Sequence, residues 1–193
     1  MEARVLCADP PWKFGDSLPG PGRGAAKHYN TMSVEDICRF RLPPLAPDAY
    51  LFLWRVAAMP WEALRVVEAW GFTPKTELVW AKRTKNGKVH FGMGHHLRAA
   101  HETCIVAVRG KPKPKVRNIR SVFEAPVGAH SSKPDEFYSI VEKISDGPYA
   151  ELFARRERGG LWTCYGDEVS IAEPGEYLAP DALPKQAALP GAL

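Results

Sequence analysis

The run Asp9-Pro10-Pro11-Trp12 contains the residue types that most clearly point to chemistry, and it directly follows an apolar stretch, Val5 to Ala8. Such a stretch predicts a buried strand that ends in a functional turn. An Asp carboxylate and a proline carbonyl can accept hydrogen bonds from the two N–H groups of one amine. Proline offers its carbonyl with no competing N–H and with φ fixed near about −65°. Trp12 adds a flat apolar face on which a base can stack.

Two such acceptors suit a weakly nucleophilic aromatic amine, such as the exocyclic amine of adenine, whose lone pair is delocalised into the ring. They would draw the nitrogen towards tetrahedral geometry, and preorganised dipoles do this without reorganising during the reaction. The motif therefore indicates a centre for amine methylation with Asp9, Pro10, Pro11 and Trp12 as its catalytic residues. The alternative is a proline-rich turn whose Trp is only structural.

Positive charge is concentrated between residues 82 and 120, where eleven Lys and Arg residues stand against one acid, Glu102. The whole chain has a formal net charge of only +4, so the average hides this local excess. A dense basic segment suits a polyanion such as nucleic acid, although a solvated loop face explains the charge about as well. We expect the 82–98 loop and the 111–120 strip to flank the site and to contact phosphates through Arg83, Lys85, Lys88, Arg98, Lys111, Lys113 and Lys115.

The bulk composition is that of an ordinary globular protein, with 193 residues, 45% hydrophobic and 25% charged. No apolar run approaches the roughly 20 residues needed to cross a bilayer, and no signal-peptide pattern is present, so we expect a cytoplasmic protein. The expected organisation is one catalytic domain over residues 1–168 and a flexible Pro/Ala-rich tail over 169–193. The four cysteines and six histidines are irregularly spaced, so no metal site is expected.

The elements that must position the motif alternate between strands and helices along the chain. The patterns predict a helix capped by Ser33, one that begins at Pro60 and is ended by Gly71, and one that begins at Pro134. Residues 13–31 predict a loop that could act as a lid. Such alternation predicts an α/β fold, a mainly parallel sheet with helices on both faces, which binds ligands at the carboxyl ends of its strands. The predicted strands cover residues 5–8, 49–54, 76–81, 103–108, 122–125, 151–154 and 161–164.

Seven sequence blocks, in order over about residues 4–168, resemble the MT-A70 family of adenine N6-methyltransferases, in particular its short bacterial and phage members. One block could arise by chance, whereas seven in order could hardly do so. The blocks are Ala8 to Trp12, His28 to Met32, Leu51 to Trp54, Val79 to Lys82, His101-Glu102 with Cys104, Ser131 to Glu136, and Glu151 to Arg155 with Trp162 and Gly166.

The resemblance implies a Rossmann-like class I methyltransferase fold that uses S-adenosylmethionine, in a permuted order with the catalytic motif before the cofactor motif. Asp9 would contact both the amine and the methionine end of the cofactor. Lys133 would pair with the cofactor carboxylate, and the alternative is a solvated lysine just before a helix. Tyr29, Trp12 and Trp80 would frame the adenine, with Lys82, Glu102 and Ser132 beside it, and the cofactor would be held by Glu151, Arg155, Arg158, Asp167 and Glu168.

Two of these assignments have plain alternatives. Arg155 could form a surface ion pair, and His101-Glu102 could have a structural, hydrogen-bonded role. Asp167 also departs from the family pattern, since many relatives have Asn after the glycine. A carboxylate still accepts hydrogen bonds from ribose hydroxyls, so we expect cofactor binding with altered affinity.

The expected function is methyl transfer from S-adenosylmethionine to N6 of adenine in DNA. The choice of DNA rests on the likeness to the bacterial and phage members, and RNA adenine is the nearest alternative. A non-catalytic nucleic-acid-binding subunit is the rival from another class, and a homo- or hetero-oligomer is compatible with either. An adenine amine is buried in a duplex, so the base must be flipped out or already single-stranded.

Overall fold

The computed structural model describes residues 2–14, 31–94, 96–128, 132–166 and 169. The predicted lid falls mainly on residues 15–30 and the predicted tail on 170–193, which lie outside the described residues. The elements are β1 (Ala3–Ala8), α1 (Val34–Arg39), β2 (Leu45–Arg55), α2 (Pro60–Ala69), β3 (Thr73–Arg83), β4 (His101–Arg109), β5 (Val122–Pro126), α3 (Asp135–Ile144), β6 (Tyr149–Leu152) and β7 (Trp162–Tyr165).

The strands form one seven-stranded sheet in the order β5-β3-β4-β2-β1-β6-β7. Strand β1 is parallel to β2 and β6, β6 is parallel to β7, and β3 is parallel to β5. Strand β4 alone among the described strands runs the other way, antiparallel to β2 and β3. The structure thus confirms the predicted α/β fold with a mainly parallel sheet. It also places the last two strands beside the first, as expected for the permuted order.

Helices cover both faces of the sheet, as predicted. Helices α1 and α2 pack on one face, where Ile37 and Val66 join the first core cluster. Helix α3 packs on the other face, where Phe137 and Val141 belong to the second. The local signals explain where the helices begin and end. Ser33 Oγ accepts the backbone N–H of Asp36, Pro60 starts α2, and Gly71 follows α2 with φ of 76°.

The direction of β4 decides what lies at each edge of the sheet. We call the edge at which the parallel strands end the carboxyl edge, and the opposite one the amino edge. Strand β4 begins with His101 and Glu102 at the carboxyl edge and ends with Arg109 at the amino edge. The loop from 84 to 100 therefore leaves and returns at the carboxyl edge, together with the turn after β1.

The same direction corrects one expectation from the sequence. The basic strip begins after β4 and therefore starts at the amino edge, where Lys111 N donates to Asp48 Oδ1 at 2.7 Å. Further along, Lys115 pairs with Asp146 at 2.6 Å, beyond the end of α3. Of the two basic segments, the 82–98 loop flanks the carboxyl edge, and Lys111, Lys113 and Lys115 do not. Strand direction depends on non-local pairing, which the sequence pattern does not reveal.

Within the described part of the chain, no helix combines the length and the apolar character that crossing a membrane would require.

Candidate functional site

The turn after β1 is held by backbone hydrogen bonds. Trp12 N donates to Pro10 O at 2.8 Å, and Met32 N donates to Pro11 O at 2.8 Å. Lys13 N then donates to Met32 O at 3.0 Å, so the turn is tied to the segment before α1. A carbonyl oxygen has two lone pairs, so Pro10 O can accept a second hydrogen bond beside Asp9.

Both tryptophans expected to frame a base are part of the core. Trp12 is 5% exposed, and its Nε1 donates to Trp54 O at 3.1 Å. Trp80 is 2% exposed, and its Nε1 donates to Ala125 O at 2.9 Å. These contacts give each ring a structural use, since a buried indole N–H needs a partner. A role in base stacking stays a prediction for both.

Four charged side chains of alternating sign form a chain at the carboxyl edge, which we call the Asp9 network. Lys133 Nζ lies 2.5 Å from Asp9 Oδ2 and 3.1 Å from Glu102 Oε2. Lys82 Nζ lies 2.5 Å from Glu102 Oε1. The Lys133 ammonium also lies 5.0 Å from the ring centre of Trp54, within cation–π range. The Lys133 side chain is 8% exposed and the Asp9 side chain is 32% exposed, so the buried ammonium holds a carboxylate that solvent can reach.

The network favours the charged form of each buried member for which a shift is resolved. Burial alone would lower the pKa of Lys133, but the carboxylates of Asp9 and Glu102 outweigh it and hold that pKa above its ordinary value. Burial alone would raise the pKa of Glu102, but Lys133 and Lys82 outweigh it and hold that pKa below its ordinary value. Opposite charges within hydrogen-bond distance explain both directions.

A second buried group lies at the end of β6, and we call it the Glu151 cluster. Tyr138 Oη on α3 donates to Glu151 Oε1 at 2.6 Å. Arg158 stacks over the Tyr138 ring, and its Nε lies 3.7 Å from Glu151 Oε2, which is too far for a hydrogen bond. Burial raises the pKa of the Glu151 carboxyl above its ordinary value, against the lowering effects of Tyr138 and Arg158. Burial also raises the pKa of Tyr138, so its hydroxyl remains a donor.

Among the described residues, three buried polar atoms around these groups have no hydrogen-bond partner: Trp54 Nε1, Glu151 Oε2 and Arg158 Nε. Such atoms are rare in folded proteins, and a bound ligand is one common explanation. The set offers two N–H donors and one carboxylate acceptor. These atoms fit a ligand that has both hydroxyl donors and polar acceptors, such as the nucleoside of S-adenosylmethionine.

Strand β6 ends two residues earlier than the sequence predicts, because Phe153 has φ of 60°. That left-handed conformation is uncommon for a bulky residue, and the packing of its ring against Phe40, with centroids 4.8 Å apart, accompanies it. Ala154 N donates to Tyr165 O at 2.9 Å, and a Cβ at Gly166 would overlap the Ala154 carbonyl oxygen. The chain thus turns sharply into the loop that contains Arg155 and Arg158. Strained backbone of this kind concentrates at functional edges.

The other expected residues fall in three groups. Ser132 precedes Lys133, and Arg155 is half-buried in the loop after β6. Arg83 forms an ion pair with Glu124, while Lys85 and Lys88 lie in the turn after β3. The residues that lie outside the described part of the chain are Tyr29, Asp167 and Glu168.

Sequence reasoning missed Trp54 and Tyr138 as site residues. Trp54 lies next to the last residue of β2, so the rule that ligands bind at the carboxyl ends of strands could have indicated it. Tyr138 lies in the first turns of α3, and only the fold brings its hydroxyl to Glu151. Arg156 is a further addition, because it donates to Lys133 O at 3.2 Å and to Asp135 Oδ1 at 2.7 Å.

The chain is similar to proteins of one known family. The family model described as MT-A70 matches residues 3–168. The N(6)-adenosine-methyltransferase catalytic subunit METTL3 of Homo sapiens is 32% identical over 155 residues, which cover 78% of this chain and 25% of that protein. The N(6)-adenosine-methyltransferase MT-A70-like protein of Drosophila melanogaster is 34% identical over 155 residues, which cover 78% of this chain and 24% of that protein.

A shorter relative also matches. The type II methyltransferase M.MunI of Mycoplasma sp is 28% identical over 190 residues, which cover 86% of this chain and 77% of that protein. The chain therefore spans about a quarter of the length of the animal relatives and about three quarters of the bacterial one.

Proposed function

The chain belongs to the MT-A70 family, and on this premise we propose that it transfers a methyl group from S-adenosylmethionine to the N6 amine of adenine in DNA. The observation that carries the proposal is the position of Asp9. Its carboxylate follows β1 at the carboxyl edge, is held through Oδ2 by Lys133, and stands next to the rigid carbonyl of Pro10.

Asp9 and Pro10 would orient the adenine amine. The Asp9 carboxylate is partly exposed, and Lys133 fixes its position through Oδ2. One amine N–H would donate to the Asp9 carboxylate and the other to the second lone pair of Pro10 O. Both acceptors are in place before the base arrives, so the amine lone pair is directed towards the methyl donor without a rearrangement of the protein.

Bound S-adenosylmethionine would supply an activated methyl group on a positively charged sulfonium. Lys133 uses two of its three N–H donors on Asp9 and Glu102, which leaves one for the cofactor carboxylate. Glu151 Oε2 would accept from a ribose hydroxyl, because it is buried and receives no hydrogen bond from any described residue. Arg158 Nε would donate to a polar atom of the same ligand.

No separate general base is needed for this reaction. After transfer, the methylated nitrogen is a cation and releases a proton readily, to Asp9 or to water. The Asp9 carboxylate is the nearest acceptor in this arrangement, and its partial exposure gives the proton a path to solvent.

DNA is favoured over RNA because the bacterial type II methyltransferase shares most of its length with this chain, whereas the animal adenosine methyltransferases share about a quarter. RNA adenine is the second candidate. The intact Asp9 to Trp12 run argues against a non-catalytic nucleic-acid-binding subunit. Calorimetry with S-adenosylmethionine separates that rival from an enzyme, because a subunit that lost catalysis would show no binding.

The decisive experiment offers purified protein and labelled cofactor to single-stranded DNA, duplex DNA and RNA, followed by nucleoside mass spectrometry. We expect N6-methyladenine in DNA and at least about a 1,000-fold loss of rate in Asp9→Asn, which keeps the size of the side chain. Unchanged thermal unfolding of the variant would show that its fold is intact. Substantial methylation by Asp9→Asn would rule out the proposed role of this carboxylate.

A further inference from the structure

The loop from 84 to 100 exposes large apolar side chains beside the candidate site. Phe91 is 77% exposed, Met93 is 80% exposed and Leu97 is 86% exposed. Apolar residues scattered singly over a surface need no explanation, but a group on one short loop indicates a contact surface. We call Phe91, Met93 and Leu97 the loop tip.

The loop is folded and does not merely connect two strands. Lys82 N donates to Ala100 O at 2.8 Å, and His90 N donates back to Lys82 O at 3.0 Å. Gly92 N donates to Ala99 O at 3.0 Å, and Thr84 N donates to Lys88 O at 2.8 Å. The bonds to Ala99 and Ala100 tie the outgoing and returning parts of the loop together, and the other two close a turn within the outgoing part. A surface that is already ordered loses less conformational entropy when it binds.

Two glycines allow the chain to pack this closely. A Cβ at Gly92 would overlap the carbonyl oxygen of Ala99, and a Cβ at Gly94 would overlap that of Leu97. The chain therefore passes close to itself at Gly92 and at Gly94, and the three apolar side chains of the loop tip are exposed to solvent. We call the loop with this exposed apolar end the projection.

Charge indicates what kind of partner the projection meets. The sequence from Lys82 to Ala100 contains five Lys and Arg residues and no acid. Arg98 lies over the Phe91 ring, with its guanidinium carbon 5.4 Å from the ring centre. Two copies that met through this loop across a two-fold axis would bring like charges together. A polyanion with flat apolar groups in its interior, a nucleic acid, fits both the charge and the apolar end.

We propose that the loop tip is a wedge that enters the duplex at the target adenine and occupies the space that the base leaves when it is flipped out. This inference rests on the proposed function and extends it, because an amine inside a duplex cannot reach Asp9. Apolar wedges with cationic neighbours are a general means of unstacking bases. Arg98 and Lys88 would contact the adjacent phosphates.

The position of the loop supports this role. Lys82 lies just before the loop and Glu102 lies shortly after it, and the two side chains form an ion pair of 2.5 Å. Glu102 also contacts Lys133, which holds Asp9. The projection therefore rises from the same network that holds the catalytic carboxylate. Both ends of the loop that contains the loop tip lie at the carboxyl edge.

The test measures kcat/KM of Phe91→Ser and Leu97→Ser on a duplex, on the same duplex with a mismatch at the target adenine, and on single-stranded DNA. The matched control is Trp61→Ser, which changes an aromatic residue that is 76% exposed on α2. For Phe91→Ser and Leu97→Ser we expect kcat/KM to fall at least tenfold on the duplex, to recover partly on the mismatched duplex, and to fall less than threefold on single-stranded DNA. We expect Trp61→Ser to leave kcat/KM unchanged on all three.

A second measurement does not depend on methylation. Duplex DNA with 2-aminopurine at the target position gains fluorescence when that base leaves the stack, and we expect the gain with wild type and not with Phe91→Ser. If the wild type flips the base but methylates no adenine, the wedge stands and the proposed function fails. Equal losses on duplex and single-stranded DNA would overturn the wedge. So would a wild-type dimer, seen by light scattering, that Phe91→Ser dissociates.

Discussion

The Asp9 network and the Glu151 cluster lie at the same edge of the sheet, yet they differ in how fully their buried charged groups are hydrogen-bonded. In the network, Lys133 is bonded to two carboxylates and Glu102 to two ammonium groups. In the cluster, Glu151 Oε2 and Arg158 Nε lie 3.7 Å apart, and neither atom has a hydrogen bond to a described residue. Within the described part of the chain, the charges of the network are paired, whereas the cluster keeps two unpaired polar atoms.

The difference suggests that the network stabilises the folded protein itself, whereas the cluster keeps polar atoms that a ligand can pair. A paired buried charge adds little net stability, but removing its partner is costly. An unpartnered buried polar atom is already costly and recovers that cost only when something binds. Changes in the network should therefore damage the free protein as well as catalysis, whereas changes in the cluster should damage binding with little effect on folding.

The largest effect is expected for Lys133→Met, which leaves Asp9 and Glu102 without a shared cation. We expect the free energy of unfolding to fall by about 2–4 kcal/mol, the lower values reflecting the partial exposure of both carboxylates. Methylation should fall at least about 100-fold, because Asp9 loses its fixed position. Urea unfolding and initial rates measure the two effects, and Lys143→Met, an exposed lysine of α3, is the control. An unfolding curve like that of the wild type would contradict the comparison.

A smaller and different effect is expected for Glu151→Gln. The folded-state pKa of Glu151 is raised, so its ionised form is disfavoured by folding at neutral pH, and the cost disappears as the pH falls. The amide removes this cost, but it also removes the weak ion pair with Arg158. The free energy of unfolding should therefore change by less than about 1 kcal/mol. The Kd for S-adenosylmethionine should rise about tenfold, as calorimetry would show. A large loss of stability with unchanged affinity would show that the cluster is structural.

The smallest effect concerns pH. The folded-state pKa of Glu102 lies below its ordinary value of 4.5, so its contribution to stability is present above that value and is lost as the pH falls through the folded-state pKa. Wild type and Glu102→Gln should therefore differ in unfolding free energy at pH 7 and converge in acid. Urea titrations at pH 7 and at pH 3 provide the measurement. A gap as wide at pH 3 as at pH 7 would mean that Glu102 acts through packing and not through its charge.

Most of the fold could be predicted because its signals are local. Ser33, Pro60 and Gly71 mark helix ends through their own backbone chemistry, and every predicted strand overlaps an observed one. The reversed direction of β4 could not be predicted, because it depends on insertion of β4 between β3 and β2, and β2 lies far back along the chain. The early end of β6 depends on the conformation of Phe153, which the β-like pattern of its neighbours conceals.

The site was predicted less completely than the fold. Lys133 and Asp9 are 124 residues apart, and the blocks that contain them indicated a common site but not their direct hydrogen bond. The pairing of Lys82 with Glu102 follows from the hairpin between β3 and β4 and was not foreseen. Trp12 and Trp80 show the limit of reading roles from residue type, because a tryptophan can fill a core as well as hold a base.

The hairpin that β3 and β4 form has a consequence for how this protein could diversify. Residues 84–100 leave and re-enter the sheet between two neighbouring antiparallel strands, so their length and sequence can change while strand pairing stays the same. Because both ends of this segment are fixed by strand pairing, the segment can be replaced as a unit. Exchanging this segment between related chains would change the surface offered to a partner and would leave the Asp9 network and the Glu151 cluster in place.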